Sequence, residues 1–215
     1  MFPLMLANIV IEFIHKGGPI MWPILVVTAF ALCVLVERIF WWLRLASKRN
    51  AKQLDSVYEA LEAGELSKAI AESKDASDPV VRMIHHGLNH RHSSMQGALE
   101  VAAGQEMRGA GRFLGAMDTI VTLAPLLGLL GTVTGIMGSF TSIGSSELAV
   151  EKVTGGIGEA LIATAAGLGI AIGTLVPMNY FHSRLAALKF DLEAAANNVL
   201  ILAAQHGFDK VSSKA

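Results

Sequence analysis

The sequence predicts an all-α integral membrane protein whose three transmembrane helices are extended by long cytoplasmic helices. Two observations carry that expectation. Of the 215 residues, 53% are hydrophobic and 16% charged, against about 25% charged in soluble domains. The 17 basic and 18 acidic residues are also clustered: nineteen of them lie between Lys48 and Asp118, and none falls in the windows 17–36, 119–146 and 160–181. Each window meets the roughly 20 apolar residues a helix needs to cross a hydrocarbon core.

A net charge of −1 argues against a nucleic-acid binder, which would present a basic patch or stripe. Cys33 is the single cysteine, so no intrachain disulfide forms and the redox compartment leaves no mark. The first fifteen residues lack a basic n-region and contain Glu12. The first apolar window is therefore expected to stay as an anchor and not to be cleaved as a signal peptide.

Lysines and arginines set the orientation, because cytoplasmic flanks retain them. Only Lys16 and Lys152 lie before the first window or between the second and third. Arg38, Arg44, Lys48, Arg49 and Lys52 follow the first, Arg108 and Arg112 precede the second, and Arg184 and Lys189 follow the third. The N-terminus is expected outside and the C-terminus in the cytoplasm.

Taken in order, residues 1–16 place Phe2, Leu6, Ile9 and Phe13 at helical spacing, which suits an external amphipathic segment on the lipid surface. Gly17-Gly18-Pro19 breaks it, and a first transmembrane helix follows over 17–45, with Glu37-Arg38 near its cytoplasmic end and Trp41, Trp42 and Arg44 at the interface. Residues 46–115 read as a cytoplasmic helical domain. There Leu54, Val57, Tyr58 and Leu61 share a helix face, Gly64 interrupts, Glu65 to Glu72 resumes, and Asp78-Pro79 forms an N-cap with proline at N1. Ser93 with Gln96 suggests a capping box opening a helix that runs straight into the second span. The second span covers 116–144, an external loop 145–153, the third span 154–181, and a cytoplasmic C-terminal helix and tail 182–215. His85, His86, His90 and His92 invite a metal reading, but structural zinc sites need four ligands and no cysteine lies near; solvated surface histidines are the simpler account.

The second span repeats small residues at Gly128, Gly131, Gly135, Gly138 and Ser142, in alternating three- and four-residue steps. The third does so at Gly155, Glu159, Ala163, Gly167 and Ala171, with Ala165, Gly169 and Gly173 on a second ridge. Such stripes let helix backbones approach closely in lipid. Together they exceed what three helices of one chain can cover, so a homo-oligomer is expected.

Glu159 does not fit packing alone. Seven residues beyond Lys152, it lies roughly 10 Å inside the span at 1.5 Å per residue. A charge at membrane depth costs about 2.5–3.5 kcal/mol even on lenient scales and usually marks an ion or proton path. A low-dielectric site disfavours the charged form of a carboxyl group, so one held there can load and unload protons. Alternatively the span starts later and Glu159 sits at the outer interface. Thr132 and Thr164 add hydroxyls able to line a polar path, although single intramembrane threonines usually bond back to a helix carbonyl.

The run from Leu123 through Ala124-Pro125-Leu126-Leu127-Gly128 to Gly131-Thr132-Val133-Thr134-Gly135-Ile136-Met137 resembles the signature of the MotA/TolQ/ExbB proton-channel family. So does Gly156-Ile157-Gly158-Glu159-Ala160 with Ala163-Thr164-Ala165-Ala166-Gly167-Leu168. With the order of spans, the likeness covers roughly residues 20 to 205 and is nearest to the ExbB and TolQ branch. One departure is that Gly173 stands where that branch usually has proline, with Pro177 one turn later.

The resemblance implies a pentameric ring around a dimer of a single-span partner, as in ExbB–ExbD or TolQ–TolR complexes, with a TonB- or TolA-like transducer beyond it. It implies that Glu159, Thr132 and Thr164 line the proton pathway and that the partner supplies an aspartate, since this chain has no mid-span aspartate and Asp118 lies at the cytoplasmic mouth of the second span. The chain would be an inner-membrane stator subunit drawing on the proton-motive force for an envelope process such as TonB-dependent import. No catalytic residue, metal or cofactor is implied. A lone glutamate with few clustered carbonyl ligands favours protons over sodium. The competing expectation is a passive scaffold assembled through the glycine ridges. A solute transporter would show two related halves, and no such repeat is present.

Overall fold

The computed structural model describes residues 16–141 and 149–208. Apart from Lys16, the amphipathic segment expected at the N-terminus lies outside the described residues. Ser142 and the start of the external loop lie outside them too. The helices are α1 (Met21–Lys48), α2 (Ala51–Glu62), α3 (Leu66–Ser73), α4 (Pro79–Asn89), α5 (Arg91–Ala110), α6 (Leu114–Thr141) and α7 (Ala149–His206). There is no strand among the described residues.

Among the described residues three stretches are long and apolar enough to cross a membrane, within Met21–Lys48, Ser94–Thr141 and Val153–His206. Only 22%, 22% and 28% of their most apolar windows is buried within the chain. Val26, Phe30, Leu126, Leu129, Leu161 and Ile172 all stand exposed. Apolar surface on that scale requires lipid or other protein to cover it. Continuity distinguishes α7: the third span and the C-terminal segment form one helix of 58 residues that carries Pro177 within it.

The chain divides into two compact units. One takes the residues up to Glu37 with Phe113–Tyr180; the other takes Arg38–Arg112 with the chain from Phe181 onward. In the first, Met21 and Ile24 of α1 pack with Ala163 of α7, flanked by Ile20, Leu127, Ala166 and Ile170.

In the second, amphipathic helices bury Val57, Leu61, Ala69, Val81, Met83, Ile84 and Leu88. The Asp78 carboxylate, almost fully buried, accepts the backbone N–H of Val80 at 2.8 Å and of Asn50 at 2.9 Å. It thus caps α4 and fastens the start of α2 to it. Arg82 forms a two-armed ion pair with Glu106, at 2.9 and 2.7 Å. That hydrogen bond raises the Arg82 pKa, against the opposing pull of burial. At the far end of α7, His206 Nε2 lies 3.0 Å from the Glu62 carbonyl, and Arg49 pairs with Asp191.

One expectation for the segment leading into the second span changes. Within α5 the chain kinks at Ser94, whose backbone is extended (φ −165°) and whose Oγ accepts the Gly97 N–H at 3.0 Å; the Ser93 side chain, expected in a capping box, lies outside the described residues. The helix does not run straight into the span: it stops at Ala110, and Phe113, at φ +64°, turns the chain before α6 begins. A left-handed non-glycine residue costs about 1–2 kcal/mol.

Arg38 meets the end of α5. Read from sequence as a polar residue near the end of a span, it is fully buried. Its Nη1 donates to Ala110 O at 3.1 Å and Gly109 O at 3.5 Å, satisfying carbonyls that a helix end leaves unpaired. A cation there also complements the helix dipole, and Cζ lies 5.0 Å from the Trp41 ring centre. Arg38→Met is expected to cost about 2–3 kcal/mol, the range for removing a charged hydrogen-bond partner from a buried site. Thermal unfolding and hydrogen exchange at Gly111 to Leu114 would measure it, and unchanged protection there would refute the assignment.

Candidate functional site

The α6–α7 seam is built from glycine. A Cβ at Gly128 would stand 3.0 Å from Thr164 Cα and 3.1 Å from Ala163 O; at Gly131, 2.6 Å from Ala163 Cβ; at Gly135, 3.0 Å from both Ala160 Cβ and Gly156 O. From the other side, a Cβ at Gly167 would overlap Ala124 O and lie 3.1 Å from Gly128 Cα. The helices touch backbone to backbone, the packing that small residues permit in lipid. Ala160 and Ala163, on the same face of α7, are buried.

Thr164 lies in this seam. Its hydroxyl proton is shared between Gly128 O at 3.0 Å, across the seam, and Ala160 O at 3.2 Å on its own helix. Thr132 bonds back to Leu129 O at 2.6 Å, the local pattern expected of an intramembrane threonine.

Glu159 is half-buried and lines a groove of about 600 Å³ with Pro19, Ile20, Thr134, Ser139 and the glycines 135, 138, 155 and 156. Within the single chain, then, the groove collects Glu159 but neither Thr132 nor Thr164. The hydroxyls beside it belong to Thr134 and Ser139, which donate to Leu130 O and Gly135 O at 2.9 and 2.8 Å. Sequence reading passed over both, although Ser139 stands four residues after Gly135 on the same ridge. Gly138 and Gly155 have open space within 4 Å of where a Cβ would stand; they widen the groove and do not tighten the seam. The second ridge of α7 is open as well: Gly169 and Gly173 meet nothing within 4 Å, and Ala165 is exposed.

Gly18 is the further residue at this site. It takes φ +70°, and its backbone lies directly against the Glu159 carboxyl. Only its place in a helix-breaking Gly-Gly-Pro triplet gave a sign of it.

The histidine run belongs to the other unit. His85 lies 2.9 Å from Ser73 Oγ through Nδ1 and 2.8 Å from Asn89 Nδ2 through Nε2. The His86 and His90 rings are 4.3 Å apart, and the His92 side chain lies outside the described ones. Among the described residues there is no group of three or more metal-ligating side chains.

The arrangement is a titratable carboxyl beside hydroxyls in a groove between closely packed apolar helices. Known proteins resemble this chain over much of its length. Residues 75–194 match the MotA/TolQ/ExbB proton channel family. A Synechocystis protein provisionally named biopolymer transport protein ExbB-like 1 is 35% identical over 195 residues, covering 87% of this chain and 76% of the relative. A second, ExbB-like 3 of the same organism, is 36% identical over 176 residues, 78% of this chain and 82% of its own. The biopolymer transport protein ExbB of Salmonella typhimurium is 42% identical over 93 residues, 43% of this chain and 38% of the relative.

Proposed function

The chain belongs to the MotA/TolQ/ExbB proton channel family, and from that premise we propose that it is the ring-forming stator subunit of an inner-membrane motor driven by the proton-motive force. The observation that carries this reading is Glu159, the one acidic side chain among the described residues that line the groove beside α6 and α7. An intramembrane carboxylate is expensive, and such residues mark ion and proton paths.

Five copies, in this reading, surround a dimer of a single-span, ExbD- or TolR-like partner whose aspartate completes the relay. The open ridge at Ala165, Gly169 and Gly173 and the largely uncovered spans supply the faces for neighbouring copies. Membrane lipid covers the rest. The basic residues after α1 and after the third span favour a cytoplasmic C-terminus and an outer N-terminus. Protons enter from the outer side, pass the partner's aspartate beside Thr132, Thr164 and Glu159, and leave to the cytoplasm. Each charge crossing 100 mV releases about 2.3 kcal/mol. Protonation neutralises the partner's carboxylate and loosens its hold on the ring. Thr164, although its proton is committed to the seam, retains lone pairs to accept from that carboxyl. Movement of the partner then reaches a TonB- or TolA-like transducer and energises an envelope process such as import.

The test is proton flux into membrane vesicles from cells carrying the variants in place of the native protein. Loss of flux in Glu159→Gln, with a reduced rate in Thr164→Ala, supports the stator. Retained flux in both would leave the chain a passive scaffold.

A further inference from the structure

The Gly17-Gly18-Pro19 triplet does more than interrupt the chain ahead of α1. Gly18 is left-handed, at φ +70°, a conformation side chains other than glycine rarely adopt. A Cβ placed on it would overlap Oε1 and Cδ of Glu159 and stand 2.8 Å from Cγ. Two unrelated constraints, one from the backbone and one from the carboxyl, thus exclude a side chain at the same position. The Gly18 carbonyl accepts the Met21 N–H at 3.0 Å, which fixes this turn as the first of α1, and Pro19 and Ile20 line the groove that Glu159 occupies. Gly17 differs from its neighbour in what it faces: a Cβ there would meet Cγ and Sδ of the buried Met21 at 2.5 and 2.7 Å and Ile162 Cγ2 at 3.1 Å, and not the carboxyl.

We propose that Gly18 is a positioning residue for Glu159. By offering bare backbone it sets how close the carboxyl lies to the opening turn of α1 and keeps it in the groove. A side chain at 18 pushes the carboxyl away, and an ångström-scale displacement of a reacting group costs up to about a hundredfold in rate. The proposal rests on reading Glu159 as the proton carrier and adds what holds it in place.

The experiment is a double-mutant cycle between Gly18→Ala and Glu159→Asp, which withdraws the carboxyl by one methylene. It is made in the full-length protein in native-membrane vesicles, with Gly17→Ala as control. Two quantities are read: proton flux, and the rate at which a hydrophobic carbodiimide labels the carboxyl at position 159 as pH is varied. Gly18→Ala is expected to lower flux about tenfold or more and to displace the pH profile of labelling, while any effect of Gly17→Ala, which crowds Met21 and not the carboxyl, is expected to be the same with and without Glu159→Asp. In the Gly18→Ala background, Glu159→Asp is expected to recover labelling and part of the lost flux.

Additive effects, with no recovery in either quantity, overturn the proposal, because a glycine that only shapes the turn has no reason to depend on the length of side chain 159. Should Gly18→Ala fail to accumulate in the membrane, accumulation of the double variant becomes the readout: recovery supports the proposal and continued absence overturns it. Wild-type flux in Glu159→Gln would instead defeat the proton-carrier reading itself. An inactive Glu159→Gln combined with additivity removes only the role of Gly18.

Discussion

Gly167→Ala is expected to force α6 and α7 apart, whereas Gly169→Ala, two residues further along, is expected to leave their seam whole. The atoms a new methyl would meet at 167 are Ala124 O, Ala124 C at 3.2 Å and Gly128 Cα at 3.1 Å. All are backbone, so no rotamer can give way and one helix must move. Moving it stretches the Thr164 bond to Gly128 O, 3.0 Å long, and opens the Gly131 contact with Ala163. Overpacking costs about 1–3 kcal/mol, and an interhelical hydrogen bond in a membrane protein is worth about 0.6–1.7 kcal/mol, so a loss of about 2–4 kcal/mol is expected. At 169 a Cβ meets nothing within 4 Å, and alanine exceeds glycine in helix propensity by about 1 kcal/mol. Thermal unfolding of the detergent-solubilised protein compares the two. Equal melting would mean the seam is not packed as described. If copies of the chain meet along the Ala165–Gly169–Gly173 ridge, Gly169→Ala will melt normally yet dissociate more readily.

Features set by period and composition are legible in the sequence, and features set by distant partners are hidden in it. Charge-free windows disclose the spans because lipid excludes charge wherever a helix crosses it. Gly128, Gly131 and Gly135 declare a common face because 3.6 residues per turn is a property of the helix alone. Gly138 and Gly155 obey the same spacing but line open space, since spacing cannot say where a groove widens. The Asp78-Pro79 cap is readable because its geometry closes within three residues. The Ser94 bond to the Gly97 N–H turns on one extended residue, beyond the resolution of a motif. Arg38 is the clearest case of concealment: its partners lie 71 and 72 positions away, at the end of another helix. Gly18 is hidden for the same reason, since the carboxyl that excludes its side chain belongs to another helix.

Glu159→Gln should move stability and transport in opposite directions, a combination that separates a working carboxyl from a structural one. Glutamine has the shape of glutamate, so the contact with Gly18 and the lining of the groove survive. What disappears is the charge and the ability to bind and release a proton. Removing a charge from membrane depth relieves up to about 2.5–3.5 kcal/mol on lenient scales, and less here because Glu159 is only half-buried. The variant is therefore expected to melt at or above the wild-type temperature. Proton flux is expected to fall by about a hundredfold or more, the contribution typical of a positioned proton-transfer group. Residues kept for function at the expense of stability show this pairing. A carboxyl retained for packing would behave in the reverse way, with flux kept and melting lowered. Both quantities, measured on the same vesicles and the same solubilised protein, decide between the two: a Glu159→Gln variant that melts early and still conducts would leave the groove without its carrier.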